Sequence, residues 1–134
     1  QITKSVNGEP GEKRSSDTMG MKHRVDSGVY VFYGSINTQL AEKTGFTAED
    51  AEKIKFALQT LFENDVSSAR PEGSMEVNNL YWWEHKTKLG QYSSAKVHRS
   101  LSWTKRVEEP KSFEDYEFTV APLDGLEVQT IEGR

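Results

Sequence analysis

Apolar positions along the chain change their spacing several times, and each change marks an element. Residues 1–20 are Gly, Ser, Asn, Pro and charged side chains with almost no apolar position, the composition of a loop or arm. Gly28-Val-Tyr-Val-Phe-Tyr-Gly34 is the clearest strand signal, β-branched and aromatic and bounded by glycines. Val29, Val31 and Tyr33 would share one face, and Tyr30 and Phe32 the other. Both faces are apolar, which predicts a central strand, covered on both sides or covered on one and used on the other. Thr47-Ala-Glu-Asp50 has the form of a helix start. Thr47 is a good N-cap, Asp50 follows three residues on, and acids at 49, 50 and 52 suit the positive helix end. Ala51, Ile54, Leu58, Leu61 and Phe62 recur at helical spacing, predicting a helix over 47–64. A shorter helical turn is predicted at Thr38–Lys43, before Gly45.

Residues 66–75 read as a loop. Met75 to Lys86 predicts a second strand carrying Val77, Leu80, Tyr81, Trp82 and Trp83. Gly90 to Ala95 is a small-residue loop. From Val97 to Val107, Val97, Arg99, Leu101 and Trp103 alternate with His98, Ser100, Ser102 and Thr104, predicting a third strand. A turn is expected around Pro110, then short strands at Tyr116–Val120 and Leu126–Ile131. No internal repeat is present. The order β–α–β–β with a β tail predicts an α+β fold, an antiparallel sheet with one main helix on one face.

Composition narrows the class. The chain has 134 residues, enough for one domain or part of one, with 34% hydrophobic and 28% charged residues. A mean hydropathy of -0.74 is polar for a globular domain. The 6 Phe, 5 Tyr and 3 Trp argue against wholesale disorder. No apolar run approaches the length of a membrane span, and the polar start Gln-Ile-Thr-Lys is unlike a signal peptide. With no cysteine, disulfides, thiolate catalysis, zinc fingers and iron–sulfur clusters are excluded. A cytoplasmic protein is the simplest expectation. The start at Gln1 points to processing or trimming. Ile131-Glu-Gly-Arg134 matches the string read by a common tag-removal protease, so no function is assigned to Arg134.

The net charge of -4 hides an asymmetry. Residues 86–107 hold Lys86, Lys88, Lys96, Arg99, Lys105 and Arg106 and no acid, whereas 108–134 hold eight acids against Lys111 and Arg134. A local basic patch binds polyanions whatever the overall charge, since salt confines its field to about 10 Å. A solvated face is the plainer reading of charge taken alone.

The common catalytic patterns are missing. His23, His85 and His98 have no ligand spacing between them, and each reads as structural. Adjacent Glu84 and His85 point apart on a strand. No Ser sits in a nucleophile elbow. Gly8-Glu-Pro-Gly11 lacks the ending of a phosphate loop. Glu49/Asp50 and Glu114/Asp115 read as capping and solubility pairs. No catalytic residue, metal site or cofactor is therefore expected. Single-stranded RNA fits better. Lys22, His23 and Arg24 precede the main strand, Lys86 and Lys88 follow Tyr81-Trp82-Trp83, and Lys96, His98 and Arg99 open the next strand. Cations hold phosphates and flat rings stack on bases. Trp82 and Trp83 cannot both face one core, so one of them needs a second layer or a ligand.

Several blocks in order carry a resemblance: Thr18-Met-Gly-Met-Lys-His23, Gly28-Val-Tyr30, Leu40-Ala-Glu-Lys-Thr-Gly-Phe-Thr-Ala-Glu-Asp50, Leu61-Phe-Glu-Asn-Asp-Val-Ser-Ser-Ala-Arg70 and Lys88-Leu-Gly90. Over about residues 15 to 105, and more weakly beyond, the chain resembles the C-terminal half of the CRISPR-associated Cascade backbone subunit. This is the crRNA-binding "Cas seven" family, in its type I-C or I-B form. The resemblance implies a ferredoxin-like (RNA-recognition-motif-like) palm, partial here because the family's first palm strand lies upstream of the matching region. It divides the chain into a basic arm or loop at 1–24, a β-α-β-β palm portion at 25–107 and acidic C-terminal strands and tail at 108–134. It also implies a binder rather than a nuclease. The implied partners are crRNA, other copies of the chain, other Cascade subunits and, through the guide, target DNA; no membrane is implied. The RNA-binding candidates are Lys22, His23, Arg24, Arg70, Lys86, Lys88, Lys96, His98 and Arg99, with Arg70 open to RNA or a neighbouring subunit. Met21 stands where the family often has a base. Two alternatives are a metal-dependent ribonuclease of the same superfamily, with Asp17 or Asp26 near the basic block, and a folded piece that binds no RNA on its own.

Overall fold

The computed structural model describes residues 20–134. The expected arm at 1–24 lies outside the described residues except for 20–24, and Asp17 lies outside them too.

Local chemistry sets the first elements. Asn37 caps helix α1 (Thr38–Thr44), its side chain accepting from the Leu40 N–H, and Gly45 closes it in the left-handed conformation at φ 79°. Helix α2 (Ala48–Gln59) opens with the expected capping box. The Thr47 hydroxyl accepts from the Asp50 N–H at 3.2 Å, and the Asp50 carboxylate accepts from the Thr47 N–H at 3.0 Å. The helix ends at Gln59, one turn short of the predicted 64. Thr60 donates its hydroxyl to the Phe56 carbonyl, and the chain turns away through Asn64 at φ 63°.

Strand β1 (Asn79–Trp83) is shorter than the predicted Met75–Lys86, and it pairs antiparallel with β4 (Val128–Glu132), Leu80 opposite Ile131 and Trp82 opposite Gln129. The predicted strand at Val97–Val107 divides in two. Its first part is helix α3 (Ser94–Arg99), because the Ser93 hydroxyl caps it by accepting from the Lys96 N–H. Its second part is β2 (Leu101–Lys105), paired antiparallel with β3 (Tyr116–Val120). The alternation seen in the sequence ran across both. The candidates Lys96, His98 and Arg99 therefore lie on a helix rather than opening a strand.

The molecule is thus a small α+β structure with two antiparallel two-stranded sheets and few helices, consistent with a partial ferredoxin-like palm. The C-terminal Ile131 and Glu132 are built into β4, and Arg134 pairs with Glu63 at 3.2 Å while donating its N–H to the Gln59 carbonyl. Gly133 passes so close to the Val77 backbone that a Cβ there would overlap it.

The tightest packing joins α3, β2 and the turn before β4. Val97, Ser100, Leu101 and Leu126 are buried. Ala121 donates to the Ser100 carbonyl, and Gln91 and Tyr92 reach the carbonyls of Gly125 and Asp124. On the β1–β4 sheet, α2 covers the face of Trp82 and Gln129. Lys55 lies 4.9 Å from the Trp82 ring centroid and donates to Gln129 at 3.2 Å. Tyr81 and Trp83 share the opposite face, both half-buried, and burial raises the Tyr81 phenol above its ordinary value of 10.0.

The segment expected to be the central strand behaves differently. Gly28–Gly34 is not a strand, and no strand among the described residues pairs with it. A ladder needs a neighbour on which to place its N–H and C=O groups, and each described sheet ends at two strands without this segment joining either. Alternation survives in the burial. Val29 and Val31 are half-buried, whereas Tyr30 and Phe32 are each 68% exposed.

Candidate nucleic-acid interface

The sequence candidates fall into four places. Lys22, His23 and Arg24 are all exposed at the start of the described chain. Arg24 faces Asp26 at 3.5 Å, both side chains more than 80% exposed, so solvent screens the pair heavily.

The second place is the end of α3. His98 stacks on Tyr33, ring centroids 4.7 Å apart, with its Nε2 3.4 Å from the Gly34 carbonyl oxygen. Lys96 lies over the Tyr92 ring at 5.1 Å, and Arg99 is exposed. The His98–Tyr33 stack brings the far end of the 22–34 segment, at Tyr33 and Gly34, against basic α3.

Lys86 and Lys88 occupy the third place, the turn after β1. Gln91 fixes that turn: its side chain accepts from the Lys86 N–H and donates to Gly125, and its own N–H donates to His85 Nδ1. Lys88 is engaged with Glu42 of α1 at 2.7 Å, so much of its charge is matched. Lys86 has no ion pair among the described residues.

Arg70 stands apart from these. It forms a two-point pair with Asp65, Nε at 3.1 Å and the terminal nitrogen at 3.4 Å, and its N–H closes a tight turn on Ser67. The hydrogen bonds it donates to Asp65, and then the Asp65 charge, raise the Arg70 guanidinium above its ordinary value. An arginine held this way is a clasp for the loop after α2.

The basic residues are therefore not one continuous patch. Of the candidate lysines and arginines, Lys22, Lys86, Lys96 and Arg99 are exposed without an ion pair among the described residues, while Arg24 has its solvent-screened pair with Asp26 and Arg70 and Lys88 have carboxylate partners. Tyr30 and Phe32 are exposed while Val29 and Val31 are half-buried, so of the two expected arrangements, covered on both faces or covered on one and open on the other, the burial follows the second although no strand forms. Tyr81, Trp82 and Trp83, the rings the sequence favoured, are half-buried. No group of three or more His, Asp or Glu able to hold a metal ion gathers among the described residues. None of their helices is long and apolar enough to cross a membrane.

Two antiparallel two-stranded sheets with few helices give an α+β class consistent with a partial ferredoxin-like palm. The family model for CRISPR-associated protein Cas7 matches residues 1–121, and the chain belongs to that family. No curated protein matches the chain.

Proposed function

We propose that the chain is a crRNA-binding backbone unit of a type I Cascade complex, of subtype I-C or I-B, lying beside other copies of itself along the guide. Membership of the CRISPR-associated Cas7 family supports this reading. The observation that carries it in the structure is the exposed cation block Lys22–Arg24 leading into a segment whose end is stacked onto basic α3. In this reading Lys22, His23 and Arg24 hold phosphates from one side and Lys96, His98 and Arg99 from the other. Lys86 adds a further contact, and Lys88 and Arg70 contribute structure first. Other Cascade subunits, and target DNA through the guide, are the remaining partners. The protein works as a cytoplasmic binder and not as a nuclease; Asp26, the described acid of the ribonuclease alternative, faces Arg24 at 3.5 Å.

Binding of single-stranded RNAs of unrelated sequence, measured across a salt series, tests the proposal. Phosphate contacts position a strand without reading it, so affinities should be similar for all sequences and fall linearly on a log–log plot against salt. A preference of about a hundredfold for one sequence would contradict phosphate tracking. Cleavage of the RNA in the presence of a divalent metal would favour the ribonuclease alternative.

A further inference from the structure

The turn after β1 is exposed yet closed on itself. Gln91, half-buried, bonds at three points. Its side-chain oxygen accepts from the Lys86 N–H at 3.0 Å, its side-chain nitrogen donates to the Gly125 carbonyl at 2.6 Å, and its own N–H donates to His85 Nδ1 at 3.0 Å. Inside this ring the Gly90 N–H donates to both the carbonyl and the hydroxyl of Thr87, with Gly90 at φ 95°. The two partners of the Gln91 side-chain amide fix its orientation, because a backbone N–H only donates and a carbonyl only accepts. Glutamate would set a second oxygen against the Gly125 carbonyl, and an apolar side chain would bond neither partner.

These bonds join two loops at one end of a sheet. Trp83 pairs with Val128, so the turn that leaves β1 lies beside the turn that enters β4, and Gln91 bridges them. Lys88 holds another side of the turn through Glu42 of α1 at 2.7 Å. What the ring presents is Lys86, exposed and without an ion pair among the described residues. We propose that Gln91 is a positioning residue for RNA binding: it locks the turn in advance, so that Lys86 meets a phosphate without the loop having to be ordered at that moment. The proposal rests on the RNA-binding reading and deepens it, since that reading gives Gln91 no part beyond the fold.

The test is a mutant cycle on the full chain, reading single-stranded RNA affinity across a salt series. Lys86→Gln removes one phosphate contact and should flatten the slope of log affinity against log salt by about 0.7. Gln91→Met keeps the length of the side chain but neither of its bonds. It should weaken binding about three- to tenfold at each salt concentration with the slope unchanged, because the contact still forms but the turn must first be ordered. In the Lys86→Gln background the same Gln91→Met change should have no further effect. Thr87→Val, which loosens the ring from within at Gly90, should act in the same direction and serves where Gln91→Met does not fold. Equal weakening by Gln91→Met with and without Lys86 overturns the proposal, since Gln91 would then act through the fold at large. A Gln91→Met protein that binds like the parent overturns it too. A Lys86→Gln slope equal to the parent's removes Lys86 from the grip and the proposal with it, while flattening by Lys22→Gln/Arg24→Gln keeps the RNA-binding reading standing. A parent that binds no RNA overturns both.

Discussion

Two stretches of this chain have similar apolar content and opposite fates. Around α3 and β2, Val97, Leu101 and Leu126 are buried, the hairpin strand β3 pairs with β2, and Gln91 and Tyr92 hold the turn before β4. From Val29 to Ile36 the apolar pattern is at least as strong, yet Tyr30, Phe32, Tyr33 and Ile36 are all exposed. The difference is one of partners. The first stretch finds its complement inside the chain; in the second, Tyr33 stacks on His98 and Val29 and Val31 are half-buried, while Tyr30 and Phe32 stay open. Apolar side chains stabilise a fold only where they leave water, so the exposed rings of the second stretch contribute little to it.

The largest effect should come from the buried stretch. Leu126→Ala should destabilise the protein by about 2–5 kcal/mol, as expected for a buried leucine whose site collapses incompletely. Phe32→Ala should change stability by no more than about 0.5 kcal/mol, as for other exposed positions. Chemical denaturation of both variants checks the contrast, and equal losses would erase it.

Next comes Gly133→Ala. The added methyl has no room beside the Val77 backbone, so the end of β4 must shift. Overpacking of this kind costs about 1–3 kcal/mol. An unchanged melting curve would show that the C-terminal residues are not held as described.

A smaller effect lies at the start of α2. Thr47→Ala should cost about 1 kcal/mol through loss of the cap. The same box gives a pH signature. The Thr47 N–H and then its hydroxyl hold the Asp50 carboxyl below its ordinary value of 3.8, and the Lys111 and Ser112 N–H groups do the same for Asp115. Both acids bind protons less readily folded than unfolded. Their contribution is present above the ordinary value and is lost as the pH falls through the lowered folded ones. Acid unfolding should therefore be less steep in Asp50→Asn and Asp115→Asn than in the parent.

The sequence revealed most where structure is decided locally. Thr47 and Asp50 cap one another across three residues, so the start of α2 was legible to the residue, whereas its end at Gln59 depends on Thr60 turning back on Phe56. Helix α3 escaped notice because Val97, Arg99, Leu101 and Trp103 happen to alternate across a helix and a strand; Ser93 was the available signal. Gly28–Gly34 carries a strand's composition without a strand's pairing, since pairing belongs to the neighbour. The basic residues were legible as a set, but which were engaged was not. Nothing in the local sequence shows Glu42 reaching Lys88 or Lys55 lying over Trp82.

The central claim is that exposed cations leading into the unpaired segment hold RNA phosphates while the clasped ones do not. It is tested most directly by the salt dependence of single-stranded RNA binding in three proteins: the parent, Lys22→Gln/Arg24→Gln and Arg70→Gln. Each phosphate contact on a single strand contributes about 0.7 to the slope of log affinity against log salt, so the first variant should flatten the slope by about 1.4. Arg70, occupied by Asp65, should leave it unchanged. A slope unchanged by loss of Lys22 and Arg24 but flattened by loss of Arg70 would place the RNA on the loop after α2 and contradict the account.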